Sequence, residues 1–335
     1  MNDTSILGGI NKLRSFPLFG GANIEVLEPS LEYFITKIKN GESFTVVRQQ
    51  SEWWDVVYGG IALLLQQSPH ATIDFRNPEF LDNLVHAMRD NYPKIGGSRG
   101  WPPHTFKVWR ESIQIITQEK PPNFYFSVSQ AASHNHNIQH IDDVPQAVDY
   151  TQPPHYLTGR PSPSEVSTLI SAMFPPDEKL WRSTVWRKWG ASGEIHTFFE
   201  TFKNLPIVVV GRDVYKNFGD KLGLPKFHFL PVHPTCASEN IDQTTQEMKN
   251  LHESLLSSGE NRVIYIMLGG DTTRCMQWRL HDQLDGELFM IDAGRGLDPY
   301  YREDGVFTDQ SPMWGHWHNS YASWVHHKCP HVIRK

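Results

Sequence analysis

The sequence predicts an α/β fold, a mostly parallel sheet with helices on both faces, joined to an amino-terminal α/β lobe. Three observations predict it. Short β-branched or aromatic runs at 207–211, 227–232, 263–268 and 288–291 are separated by helix-length segments, a βαβ rhythm. Those runs are almost continuously apolar, as strands covered on both faces are. The preceding residues alternate in the same way, with strand-like 43–48 and 123–128 set among helix-like stretches.

Taken in chain order, 27–39 places Leu31, Phe34 and Ile35 on one helical face. At 43–48, Phe44, Thr45, Val46 and Val47 follow Gly41 and read as a strand. The apolar, Trp-rich stretch 53–65 contains Gly59 and Gly60, which predict a break. A helical period resumes at 78–88 through Phe80, Leu81, Leu84, Val85 and Met88. Prolines from Pro145 to Pro176 then punctuate a stretch with little apolar periodicity. The expected organisation is a lobe over 1–141, a Pro-rich join or loop over 142–176, and a larger sheet-bearing half over 177–335. In that half Asn240 and Gln243 resemble a capping pair ahead of Ile241, Met248, Leu251 and Leu255.

Composition excludes several classes. With 335 residues, 39% hydrophobic and 20% charged, the chain is neither disordered nor fibrous. Lys+Arg 31 against Asp+Glu 37 gives a net charge of -6, so no globally basic surface drives nonspecific nucleic-acid binding. Cys236, Cys275 and Cys329 have no paired spacing, which predicts a reducing, cytoplasmic setting without a disulfide framework. The longest apolar runs are too short to span a bilayer, and the first residues lack signal-peptide architecture.

In open α/β sheets ligands gather beyond the carboxyl ends of the strands. Three strand exits stand out in the second half: Val210-Gly211-Arg212-Asp213, Gly269-Gly270-Asp271-Thr272-Thr273, and the stretch from Asp292 through Gly294 and Asp298 to Tyr300. Gly269 and Gly270 let backbone amides approach an anion, and Thr272 and Thr273 can donate hydroxyls at a helix N-terminus, an arrangement suited to a diphosphate. Neither a GxGxxG nor a Walker pattern is present. Asp292 and Asp298 can bind a divalent cation or ribose hydroxyls. In the first half Arg48, Glu52 and Asp55 follow a strand beside Trp53 and Trp54, offering a cation, a general base or a metal ligand.

Other clusters read more plainly. Residues 134–140 hold three histidines but complete no familiar ligand spacing, so a solvated loop is expected. The aromatic and His-rich stretch from Met313 to His331 is expected to form a packed flap. Trp181, Arg182, Trp186, Arg187, Lys188 and Trp189 interleave cations with indoles, which suits either sugar, phosphate or single-stranded nucleic acid, or helix packing with snorkelling cations.

The ordered succession of Gly41-Glu42-Ser43-Phe44-Thr45-Val46-Val47-Arg48 with Glu52-Trp53, Gly193-Glu194-Ile195-His196, Val208-Val209-Val210-Gly211, Met267-Leu268-Gly269-Gly270, and Ile291-Asp292-Ala293-Gly294 with Leu297-Asp298-Pro299-Tyr300 resembles the GT-D type of glycosyltransferase and its bacterial and phage relatives. The resemblance implies a Rossmann-like nucleotide-sugar transferase, usually using a UDP-sugar and a divalent metal such as manganese or magnesium. It implies an acid pair after the arginine-ending strand. Here Arg48-Gln49-Gln50-Ser51-Glu52 keeps Arg48 and Glu52 but has Gln50 or Ser51 where an aspartate is expected, with Asp55 as the substitute. On this reading Glu52 is the base and Arg48 offsets leaving-group charge. Gly211, Gly269, Gly270, Asp271, Thr272, Thr273, Asp292, Gly294, Asp298 and Tyr300 hold the donor, and Asp292 with Asp298 holds the metal. The acceptor is a hydroxyl of a glycan or of a modified DNA base. A phage-type DNA glycosyltransferase, a silent nucleotide- or glycan-binding module and a metal-dependent hydrolase are the alternatives left open.

Overall fold

The computed structural model describes residues 25–27, 29–49, 51–68, 71–95, 105–128, 169–170, 172–175, 178–183, 185–192, 194–232, 237–281, 283–284, 286–294 and 296–297. In chain order these form β1 (Glu25–Leu27), α1 (Leu31–Lys39), β2 (Phe44–Gln49), α2 (Ser51–Gln67), α3 (Pro78–Ile95), α4 (Thr105–Thr117), β3 (Phe124–Val128) and β4 (Lys179–Arg182). There follow α5 (Val185–Ser192), α6 (Ile195–Phe202), β5 (Ile207–Gly211), α7 (Phe218–Leu222), β6 (Phe227–Pro231), α8 (Ile241–Ser257), β7 (Arg262–Met267), α9 (Thr273–His281) and β8 (Glu287–Asp292).

The strands make one 8-stranded sheet in the order β1-β4-β3-β2-β8-β7-β5-β6, and every pairing is parallel. Alternation along β2 sends Phe44 and Val46 into one apolar cluster and Val47 into the other. One face is covered by α2, α3, α4, α8 and α9, the opposite face by α1, α5, α6 and α7. Steps toward the β1 edge cross the first face and steps toward the β6 edge cross the second, so all crossovers share one hand.

The expected α/β architecture with helices on both faces is therefore the observed one. Its division differs from the sequence reading. β4, in the 177–335 stretch, pairs with β1 and β3 of the amino-terminal stretch, so the two halves share a single sheet. Leu27 ends β1 instead of opening a helix, and α1 starts after Ser30, whose hydroxyl caps it by accepting from the Tyr33 N–H at 3.1 Å. Gly59 and Gly60 do not break α2, because α3 packs closely across it. A Cβ at Gly60 would stand 2.3 Å from Met88 Cγ. Asn240 precedes α8 without a side-chain cap, and Gln243 instead reaches Glu247 one turn on.

Trp181, Trp186 and Trp189 belong to the core beneath α1 and α5, where Phe34 touches all three rings. They offer no stacking surface for a base or sugar, which corrects the binding interpretation of that cluster. Residues 134–140 and 298–335 lie outside the described residues. No helix among the described residues is long and apolar enough to cross a membrane.

Candidate functional site

Parallel topology gathers all strand exits at one edge. At its centre the chain leaves β2 toward one face through α2, while from β8 it turns to the other, where Ala293 and Leu297 are buried. Exits diverging to opposite faces mark the point where open α/β sheets place a ligand crevice. Arg48 and Gln49 end β2 on one side of it, and Asp292 ends β8 on the other.

The half-buried Arg48 side chain follows the even face of β2 and lies across Gly294. A Cβ on Gly294 would stand 1.7 Å from Arg48 Nη1 and 2.7 Å from its Cζ. Gly294 also has φ 54, the left-handed region where side chains are strained. No described residue accepts a hydrogen bond from the Arg48 guanidinium, although its charge acts on Asp292.

Asp292 is 2% exposed. Its Oδ1 accepts the Gly294 N–H at 2.9 Å, and its Oδ2 accepts from Thr273 Oγ1 at 2.8 Å. Burial raises its pKa above the ordinary carboxylate value, opposed by Arg48, by these two hydrogen bonds and by Arg274. Arg274, wholly buried at the start of α9, donates to the Arg48 carbonyl at 3.3 Å. Two guanidinium charges thus act on one carboxylate.

Gln49 points to the odd face and is 0% exposed. Neither atom of its amide has a hydrogen-bond partner, and the same holds for Gln277 Oε1, while Gln277 Nε2 donates to the Val46 carbonyl at 3.0 Å. Unpaired buried amides are costly, so these groups call for water or a bound polar group at the end of β2.

The structure brings together Arg48, Thr273, Asp292 and Gly294, and the neighbouring threonine hydroxyls have internal partners. The Thr273 hydroxyl is spent on Asp292 and on the Gly270 carbonyl at 2.7 Å, and Thr272, 4% exposed, donates to the Gly269 carbonyl at 3.4 Å. Both hydroxyls are thus engaged within the turn and with Asp292. Gly269 and Gly270 remain half-buried on the turn entering α9. Gly211 is buried one switch away, where a Cβ would meet Leu268 Cβ and Tyr215 Cδ2 at 3.1 Å. Glu52 and Asp55 lie in the first turns of α2, so the backbone puts them at the same edge as Arg48. Their side chains, that of Asp271, and all of Asp298 and Tyr300 lie outside the described residues.

Two residues at the site escaped the sequence reading. The period of β2 already put Gln49 on the apolar odd face, where a glutamine is conspicuous. Arg274 left no comparable signal, because a basic residue in a helix's first turn is ordinarily solvated.

A divalent cation is the cofactor the resemblance implies, and Asp292 does not fit it. Its carboxyl is interior, both oxygens are engaged, and two arginines act on it. Among the described residues no group of three or more His, Cys, Asp or Glu can hold a metal.

No protein-family profile matches the chain, and no curated protein matches its sequence. Its fold does match solved structures. A structure described as a new glycosyltransferase from Streptococcus sanguinis aligns with a TM-score of 0.51 at 10% identity, over 93% of this chain and 94% of that chain. Two structures of the domain of unknown function 1792, one described as having a distinct glycosyltransferase fold, align at 0.48 with 12% and 13% identity, over 89% of this chain and 84% of each. The chain thus shares the Rossmann-like α/β fold of that structure.

Proposed function

We propose that this chain transfers a sugar from a nucleoside-diphosphate donor, with UDP the expected nucleotide, to a hydroxyl acceptor. The observation that carries the proposal is Arg48, a half-buried guanidinium with no described acceptor for its hydrogen bonds, at the mouth of the central crevice. The likeness to a glycosyltransferase structure supports the reading at the level of fold.

In this scheme the acceptor oxygen attacks the anomeric carbon, the bond from that carbon to the diphosphate breaks, and the acceptor proton passes to Glu52. Negative charge accumulates on the departing diphosphate, and Arg48 offsets it from a fixed position. The Gly269-Gly270 turn leaves β7, two strands from β2, which is roughly 10 Å at ordinary strand spacing. That span suits a diphosphate held at one end by turn amides and at the other by Arg48. Asp298 and Tyr300 are assigned to orient the donor. Asp292 shapes the β8 exit, and no step is routed through a metal.

The test is a thermal-shift panel of UDP, UDP-sugars and other nucleotide sugars, each with and without Mn²⁺ or Mg²⁺, followed by donor turnover by the wild type, R48A and E52Q. UDP raises the melting temperature of the native chain by mass action, and both substitutions reduce turnover at least ten-fold. Wild-type turnover in both variants overturns the assigned roles. Binding without turnover in the wild type favours a silent binding module instead.

A further inference from the structure

We infer that Gly294 is a positioning residue for Arg48, a saddle that sets where the guanidinium meets the leaving diphosphate. The inference rests on the transferase reading for the diphosphate, but its geometry stands apart from it. Arg48 and Gly294 come from β2 and the β8 exit, distant in sequence and adjacent in the sheet. The Arg48 side chain follows the Gly294 α-carbon closely enough that any Cβ would meet Nη1, Cζ and Cδ at 1.7, 2.7 and 3.3 Å.

The saddle is fixed from three directions. The Gly294 N–H donates to Asp292 Oδ1 at 2.9 Å, and the Gly296 N–H donates to the Ala293 carbonyl at 2.9 Å. On the far side, a Cβ at Gly190 of α5 would stand 1.9 Å from the Gly296 carbonyl oxygen, and a Cβ at Gly296 would stand 2.8 Å from the Trp186 carbonyl oxygen. The exit loop is pressed backbone to backbone against α5, so it cannot retreat from an added methyl. Arg48 must be the group that moves.

The test is a double-mutant cycle read by calorimetric titration with UDP. R48A weakens UDP binding about ten-fold or more, the scale of a charge-assisted hydrogen bond. G294A weakens it by a similar factor, and R48A/G294A is no weaker than R48A alone. G294N separates displacement from backbone strain: asparagine tolerates the left-handed conformation but carries a Cβ, so it matches G294A in binding while melting closer to wild type. Where R48A weakens UDP binding, wild-type UDP affinity in G294A, or losses that multiply in the double variant, overturns the inference. A second readout does not involve UDP. The Arg48 Nε–H resonance, assigned by its loss in R48K, shifts in G294A, and an unchanged resonance overturns the inference on its own. Should wild type and R48A bind UDP equally, or not at all, while that resonance still shifts, the transferase reading fails and the saddle stands.

Discussion

Thr273 Oγ1 lies 2.8 Å from Asp292 Oδ2 and 2.7 Å from the Gly270 carbonyl oxygen, so one hydroxyl proton faces two acceptors. An ionised Asp292 competes with Gly270 for it. A protonated Asp292 can instead donate to Thr273, leaving that hydroxyl free to donate to Gly270, which satisfies all three groups. This proton arrangement agrees with the raised pKa of Asp292.

Removing the hydroxyl with T273V therefore strands a buried carboxyl and a carbonyl together. The expected loss is about 1–3 kcal/mol, the cost of leaving such groups unpaired, with most of it recovered in T273S. Urea midpoints of the two variants measure it.

Asp292 also predicts a pH dependence. Its folded pKa is raised, so the native state holds a proton that the unfolded chain has already released. Between the ordinary carboxylate value, about 4, and the raised value, this group's contribution to stability falls as pH rises. In D292N that component of the slope disappears, as urea midpoints from acid to neutral pH will show.

The α2–α3 contact at Gly60 predicts overpacking. G60A drives a methyl against Met88 Cγ and Leu84 Cδ1, and about 1–3 kcal/mol of stability is lost. Because M88A vacates that space, G60A/M88A loses less than the sum of the two single losses. Thermal melts of the three variants supply the cycle.

Cys275 predicts chemical silence. It is wholly buried at the start of α9, and burial pushes its thiol up to about 12. Iodoacetamide leaves it unmodified in the native protein and alkylates it in urea, which peptide mass mapping resolves residue by residue.

The strands easiest to find in the sequence were those whose own residues announce them. β5 is an uninterrupted Ile-Val-Val-Val run, and β7 and β8 are nearly as apolar. β4 hid because Lys179, Trp181 and Arg182 suggest a cationic surface, and only pairing with β1 and β3 makes a strand of them. The glycines of α2 looked like punctuation because close packing by Met88 is a tertiary fact. At the site, Arg48 was visible as the charged end of an apolar strand. Its contact with Gly294 was not, since the pairing of β2 with β8 brings together segments from opposite ends of the described chain. The Thr273 hydroxyl's inward partner was hidden for a related reason: a hydroxyl at a helix start can face outward to an anion or inward to a carboxylate, and Asp292 takes it here.

The strand order has a consequence for how the molecule is made. β2 emerges early in translation, yet one of its two neighbours is β8, the last strand described. Until residue 292 has cleared the ribosome, β2 keeps a bare hydrogen-bonding edge, and Arg48 has neither Asp292 nor Gly294 beside it. A nascent chain cut short before Glu287 would carry every helix from α1 to α9 and still lack the strand that closes this edge of β2.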